Sequence, residues 1–119
     1  MVSHMLEQRV LVITVHDDPG VDMRAVLLTE ISDLVHGYKP ASVVIVLDHP
    51  APTQATLSVV LRAHRLCSRL DLVMSVATHS APLRRLLAAG ADTEEGIRLV
   101  VHARADTAIA TATALTTAA

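Results

Sequence analysis

The chain of 119 residues contains no Trp, no Phe and one Tyr, Tyr38. Any core must therefore be aliphatic, built from Val, Leu, Ile, Met and Ala. The same scarcity weighs against single-strand nucleic-acid modules, which stack bases on aromatic rings. Cysteine is nearly absent too. Cys67 stands alone, so it forms no internal disulfide and no zinc framework, and it reads as a small buried residue on a helix. Lysine occurs once, at Lys39, and the net charge of −2 directs no strong field toward nucleic acid or anionic lipid. The longest unbroken apolar run, Val43 to Leu47, is far short of the ~20 residues that span a bilayer. No secretory pattern opens the chain, so a cytoplasmic location is expected. The glycines, Gly20, Gly37, Gly90 and Gly96, are isolated, and no phosphate loop, dinucleotide fingerprint or nucleophile elbow can be assembled.

What is present is a regular alternation of strand and helix patterns. Val10 to His16 is rich in β-branched residues and ends at Asp17-Asp18-Pro19-Gly20, a strand followed by a turn. Met23, Val26, Leu27, Ile31, Leu34 and Val35 recur at helical spacing, and Gly37 closes that helix. Ser42 to Leu47 has the continuous apolar character of a strand buried on both faces. The loop Asp48-His49-Pro50-Ala51-Pro52 then leads to Thr53, a candidate helix cap. Leu57, Val60, Leu61, His64 and Cys67 line one face of the next helix, and Arg62, Arg65 and Arg69 share another. Leu70 to Ala77 is a third strand. Ser80 caps a helix running to Ala89, with Pro82 in its first turn, an apolar stripe at Leu83, Leu86 and Leu87, and Gly90 as its stop. After the acidic loop Asp92 to Gly96 come a strand at Ile97 to Val101 and a weak Ala/Thr helix at Ala105 to Thr116.

This order predicts one α/β domain over residues 6–119, with a mainly parallel sheet of four to five strands and about four helices. Ser3-His4-Met5 looks like a cloning remnant with Met5 as the native start, which sets residues 1–5 outside the fold as a tag remnant or a disordered start. In such a sheet, partners meet the loops at the carboxyl ends of the strands. These begin at His16, Asp48, Thr78 and His102. His16, His49, His79 and His102 fall near that edge beside Asp17, Asp18 and Asp48, but strand ends spaced ~4.8 Å apart are too dispersed for one ion to gather them. They read as structural or surface histidines, and His64 as a histidine at the core's edge. The three-arginine stripe, and Arg84 with Arg85, read as solvated helix faces. Asp17-Asp18 has the look of a receiver domain's paired acids, but that fold needs a later Lys and a fifth βα unit, and neither is here.

Three blocks together resemble the STAS domain of bacterial anti-sigma-factor antagonists: Val43 to His49, VVIVLDH; Leu57 to Cys67, LSVVLRAHRLC, beside the family's Gly-Leu-Gly-Val-Leu-Leu-x-x-His-Arg; and His79 to Asp92, HSAPLRRLLAAGAD, beside Ser-x-x-Val-Arg-Arg-x-Leu-x-x-x-Gly-Leu-Asp. The resemblance runs from about Val10 to Ala114. It implies a non-enzymatic regulator that binds an anti-sigma factor or a GHKL-type serine kinase and is released when a Ser or Thr at the helix start is phosphorylated. No cofactor, metal, nucleic-acid partner or membrane is expected, in a monomer or weak homodimer. The departure is at the switch. Where the family has Asp-Ser-Ser/Thr-Gly-Leu, this chain has Thr53, Gln54, Ala55, Thr56 and Leu57, so Ala55 occupies the acceptor position. Thr53 and Thr56 are the nearest substitute acceptors. The expected partner surface is Asp48, His49, Thr53, Gln54, Thr56 and Ser58, with the Asp17 to Asp22 loop beside it. The family's opening β-hairpin looks shortened. Two other readings remain open on the residues: a module sensing a small ligand or nucleotide, and an enzyme using His49 or His79 as a base.

Overall fold

A computed structural model describes residues 2–17, 20, 22–48, 54–91 and 99–118. Their elements are β1 (Val2–Glu7), β2 (Val10–Val15), α1 (Arg24–Tyr38), β3 (Ser42–Leu47), α2 (Gln54–Arg69), β4 (Val73–Ala77), α3 (Ala81–Ala91), β5 (Val100–His102) and α4 (Ala105–Ala118). One sheet holds them in the order β1-β2-β3-β4-β5. β1 lies antiparallel to β2, and β2 through β5 are parallel. The expected class, a small α/β domain with a mainly parallel sheet and four helices, is what the chain adopts.

The layering follows from the alternation of side chains along each strand. Leu11, Ile13 and Val15 on β2, Val43, Ile45 and Leu47 on β3, and Met74 and Val76 on β4 meet α1, α2 and α3 in one core. Val10, Val12, Val44 and Ala77 point the other way and meet Ala108 and Ala112 of α4. Consecutive strands sit side by side, so right-handed crossovers carry α1, α2 and α3 to one face. α4, following the last strand, covers the other. Its alanines suit that task, because side chains this small let the helix approach the sheet closely. Leu11, Ile13, Ile45 and Met74 are fully buried, each contributing about 1.5–3 kcal/mol from burial.

Several expectations are corrected. Of the residues expected outside the fold, Val2 to Met5 belong to it: Val2–Glu7 form the edge strand, registered from Val2 opposite Val15 to Glu7 opposite Val10. The opening hairpin is therefore complete, and its turn is Gln8-Arg9, both at positive φ (50° and 68°). Gly37 does not end α1, which runs to Tyr38. Lys39 takes the left-handed conformation (φ 49°) and donates its N–H to the Val35 carbonyl at 3.0 Å. Met23 and Val26 are exposed, whereas Leu27, Ile31 and Val35, spaced four apart, are buried in the core, with Leu28 and Leu34 partly buried against it. Gly90 does not stop α3, and Leu86 of its stripe is 49% exposed. The third strand starts at Val73 because α2 closes just before it: Asp71 turns at φ 58°, and Leu72 N–H donates to the Cys67 carbonyl at 2.8 Å. Among the described residues the last strand is Val100–His102, one residue past the expected end, and Ile97 and Arg98 lie outside them.

Candidate functional site

The parallel strands end on one edge, and the antiparallel β1 brings its beginning there. Three groups meet as a result. Ser3 Oγ lies 2.7 Å from His16 Nε2, and His16 Nδ1 lies 3.6 Å from Asp48 Oδ2. The order serine, histidine, carboxylate is that of a nucleophile relay, but its geometry is poor. The second leg is longer than a hydrogen bond, and the His16 and Asp48 side chains are 45% and 70% exposed, where ion pairs contribute little. Asp48 is held at its backbone instead, its N–H donating to the Val15 carbonyl at 2.9 Å. The carboxylate therefore projects from a fixed main chain into solvent.

Beside it begins α2. Gln54 is exposed, Ala55 is buried, Thr56 is 2% exposed, and Leu57 and Ser58 are half-buried. Of the expected partner surface, then, Asp48 and Gln54 are presented outward, and Ser58 is partly so. Thr56 is turned into the molecule, and a hydroxyl so covered cannot reach a kinase unless the helix start opens. His49 and Thr53, and with them the prolyl loop and the candidate cap, lie outside the described residues. So do Asp18, Pro19 and the acidic loop from Asp92. Asp17 and Asp22 are exposed.

The other two loops of this edge are braced. Thr78 N–H donates to the His102 carbonyl at 3.1 Å. Ser80 caps α3 as expected: its Oγ accepts from Leu83 N–H at 3.2 Å, and its own N–H donates to Thr78 Oγ1 at 3.2 Å. Arg84, read as a solvated side chain, instead returns to this loop and donates to the Thr78 carbonyl at 2.8 Å. At the start of α4, Thr107 N–H donates to Asp106 Oδ1 at 2.8 Å, and Arg104 grips both carboxylate oxygens at 3.1 and 2.7 Å. That backbone donor, with the guanidinium beside it, holds the Asp106 carboxyl below its ordinary range. No sequence signal singled out the Arg104–Asp106 pair, although an acid in a first helical turn is a recognisable favourable placement.

Among the described residues, no group of three His, Cys, Asp or Glu side chains could hold a metal ion, and no helix is long and apolar enough to cross a membrane. His64 is 2% exposed on the inner face of α2, a core histidine as read. Cys67 is fully buried there, and burial pushes its thiol up to about 12.

No protein-family model matches this sequence, and no curated protein matches it by sequence. Solved structures do. RsbS from Moorella thermoacetica, in a variant with one serine replaced by glutamate, superposes with a TM-score of 0.73 over 96% of both chains, at 13% sequence identity. The fold is that of a STAS domain.

Proposed function

We propose that this STAS-type domain is a non-enzymatic regulator of the bacterial cytoplasm that binds an anti-sigma factor or a GHKL-type serine kinase. The docking surface is the edge formed by Asp48, His49, Thr53, Gln54 and the first turns of α2, with Ser58 at its margin. The observation that carries this reading is the helix start itself. On either side of residues 49–53, Asp48 and Gln54 are exposed, while Ala55 and Thr56 are covered. Ala55 stands where the resemblance places the phosphoacceptor, and it has no hydroxyl. Phosphate adds roughly −1.5 to −2 charge where it attaches, enough to end a contact beside an acidic group. With no exposed acceptor at Ala55 or Thr56, release at the usual position is weakened or absent. Thr53, the other nearest substitute, lies outside the described residues, and phosphate found there would mean that the switch has moved.

The test is a titration of the full chain against the GHKL-type kinase of its source organism, by calorimetry. Asp48→Lys and Gln54→Lys together reverse and crowd the surface without touching the core. They are expected to weaken binding by at least about tenfold, the scale of a lost interfacial charge contact. Unchanged affinity in the folded double variant overturns this placement of the surface.

A further inference from the structure

The reading above leaves the outer groove between α1 and α2 unused, and that groove has a composition unlike the rest of the molecule. Leu28 and Ser32 from α1 face Arg62, Arg65, Leu66 and Arg69 from α2 around a cavity of about 410 Å³, within the ~300–1,000 Å³ range of small-molecule sites. The sequence places the arginines three and four residues apart, so they share a helix face. The fold adds what the sequence did not contain: this face borders a concavity with an apolar floor at Leu28 and Leu66. Three of the chain's ten Lys and Arg residues converge here, in a protein of net charge −2, and none of the described residues lining the cavity is a carboxylate.

Ser32 supplies a further donor. His36 Nδ1 lies 2.8 Å from the Ser32 carbonyl, which can only accept, so Nδ1 carries the proton. The same nitrogen is 3.3 Å from Ser32 Oγ. The hydroxyl oxygen is then the accepting partner, and its own proton is directed elsewhere. The cavity thus offers guanidinium forks and a hydroxyl donor, the complement of phosphate oxygens.

We propose that this groove is a binding site for a small molecule carrying two or more phosphate groups. Arg62 to Arg69 spans seven residues, about 10 Å along the helix axis, which one phosphate does not bridge. None of the described residues lining the cavity is an aromatic that could stack a base, so recognition rests on the phosphate chain and the apolar lining at Leu28 and Leu66. The site lies some eight residues, about 12 Å, along α2 from Gln54, so it stands or falls apart from the partner surface.

The probe is inorganic tripolyphosphate, titrated calorimetrically at low salt into the wild-type chain, with inorganic phosphate as the comparison. Saturable one-to-one binding of tripolyphosphate, tighter than that of phosphate, is expected. The Arg62→Gln/Arg69→Gln pair is expected to weaken it by about tenfold or more. Arg9→Gln/Arg85→Gln removes the same charge from exposed positions elsewhere and is expected to leave affinity within about twofold, since distant surface charges are screened. Thermal melts confirm that each variant folds. No saturable binding to the wild type, or equal weakening by both pairs, overturns the proposal.

Discussion

Cys67 illustrates how one side chain's environment decides its chemistry. Fully buried on α2, its thiol is pushed from 9.0 up to about 12 by loss of solvation. The thiolate is the reactive form, so the folded chain is expected to resist a thiol reagent at pH 8 and to react on unfolding. The linkage has a definite sign. The folded value exceeds the unfolded one, so this contribution to stability is complete below pH 9 and is lost as pH rises from 9 toward 12. Cys67→Ala removes that contribution and is expected to flatten the alkaline fall in melting temperature. Rapid labelling of the native protein at pH 8 contradicts the burial. At the same scale, Ala55 has no hydroxyl to accept phosphate, and that of Thr56 is covered.

Among the elements, β1 shows where local signals fail. A two-residue hairpin turn with both φ values positive normally announces itself as Asn-Gly or Asp-Gly. Here Gln8 and Arg9 occupy it, each strained by roughly 1 kcal/mol, and the strand before them is exposed and polar in part. The pattern of Ser3-His4-Met5 therefore gave no hint of its pairing with Thr14, Ile13 and Val12. Gln8→Asn with Arg9→Gly relieves the turn and is expected to raise unfolding free energy by about 1 kcal/mol in a denaturant melt. A loss of stability contradicts the turn geometry. The central strands were legible to the residue at Ser42–Leu47, because burial on both faces demands an unbroken aliphatic run. α3 was legible from Ser80, whose cap is made as read. Helix ends were less so: Lys39 and Asp71 turn the chain at positive φ where sequence reasoning looks for glycine, and Gly90 sits within a helix. Side-chain returns such as Arg84 to the Thr78 carbonyl depend on the folded loop and leave no periodic trace.

For the molecule as a whole, the sequential strand order sets a division of labour. Three helices share one face and, among the described elements, α4 alone covers the other, with the strands' carboxyl ends on one edge and the α1–α2 groove on the flank. The candidate site was legible as a place, the end of β3 and the start of α2, because topology fixes where such loops gather. It was not legible in detail, since burial at Thr56 and the approach of Ser3 to His16 depend on contacts distant in sequence. The central claim is that this edge binds a kinase-type partner and carries no working phosphate release at Ala55 or Thr56. Its most direct test is the affinity of the chain for its partner kinase before and after incubation of the complex with ATP and magnesium, with intact mass recorded on the same samples. The account predicts a complex of unchanged affinity and a chain of unchanged mass. Dissociation of the complex together with stoichiometric phosphate on the chain contradicts it.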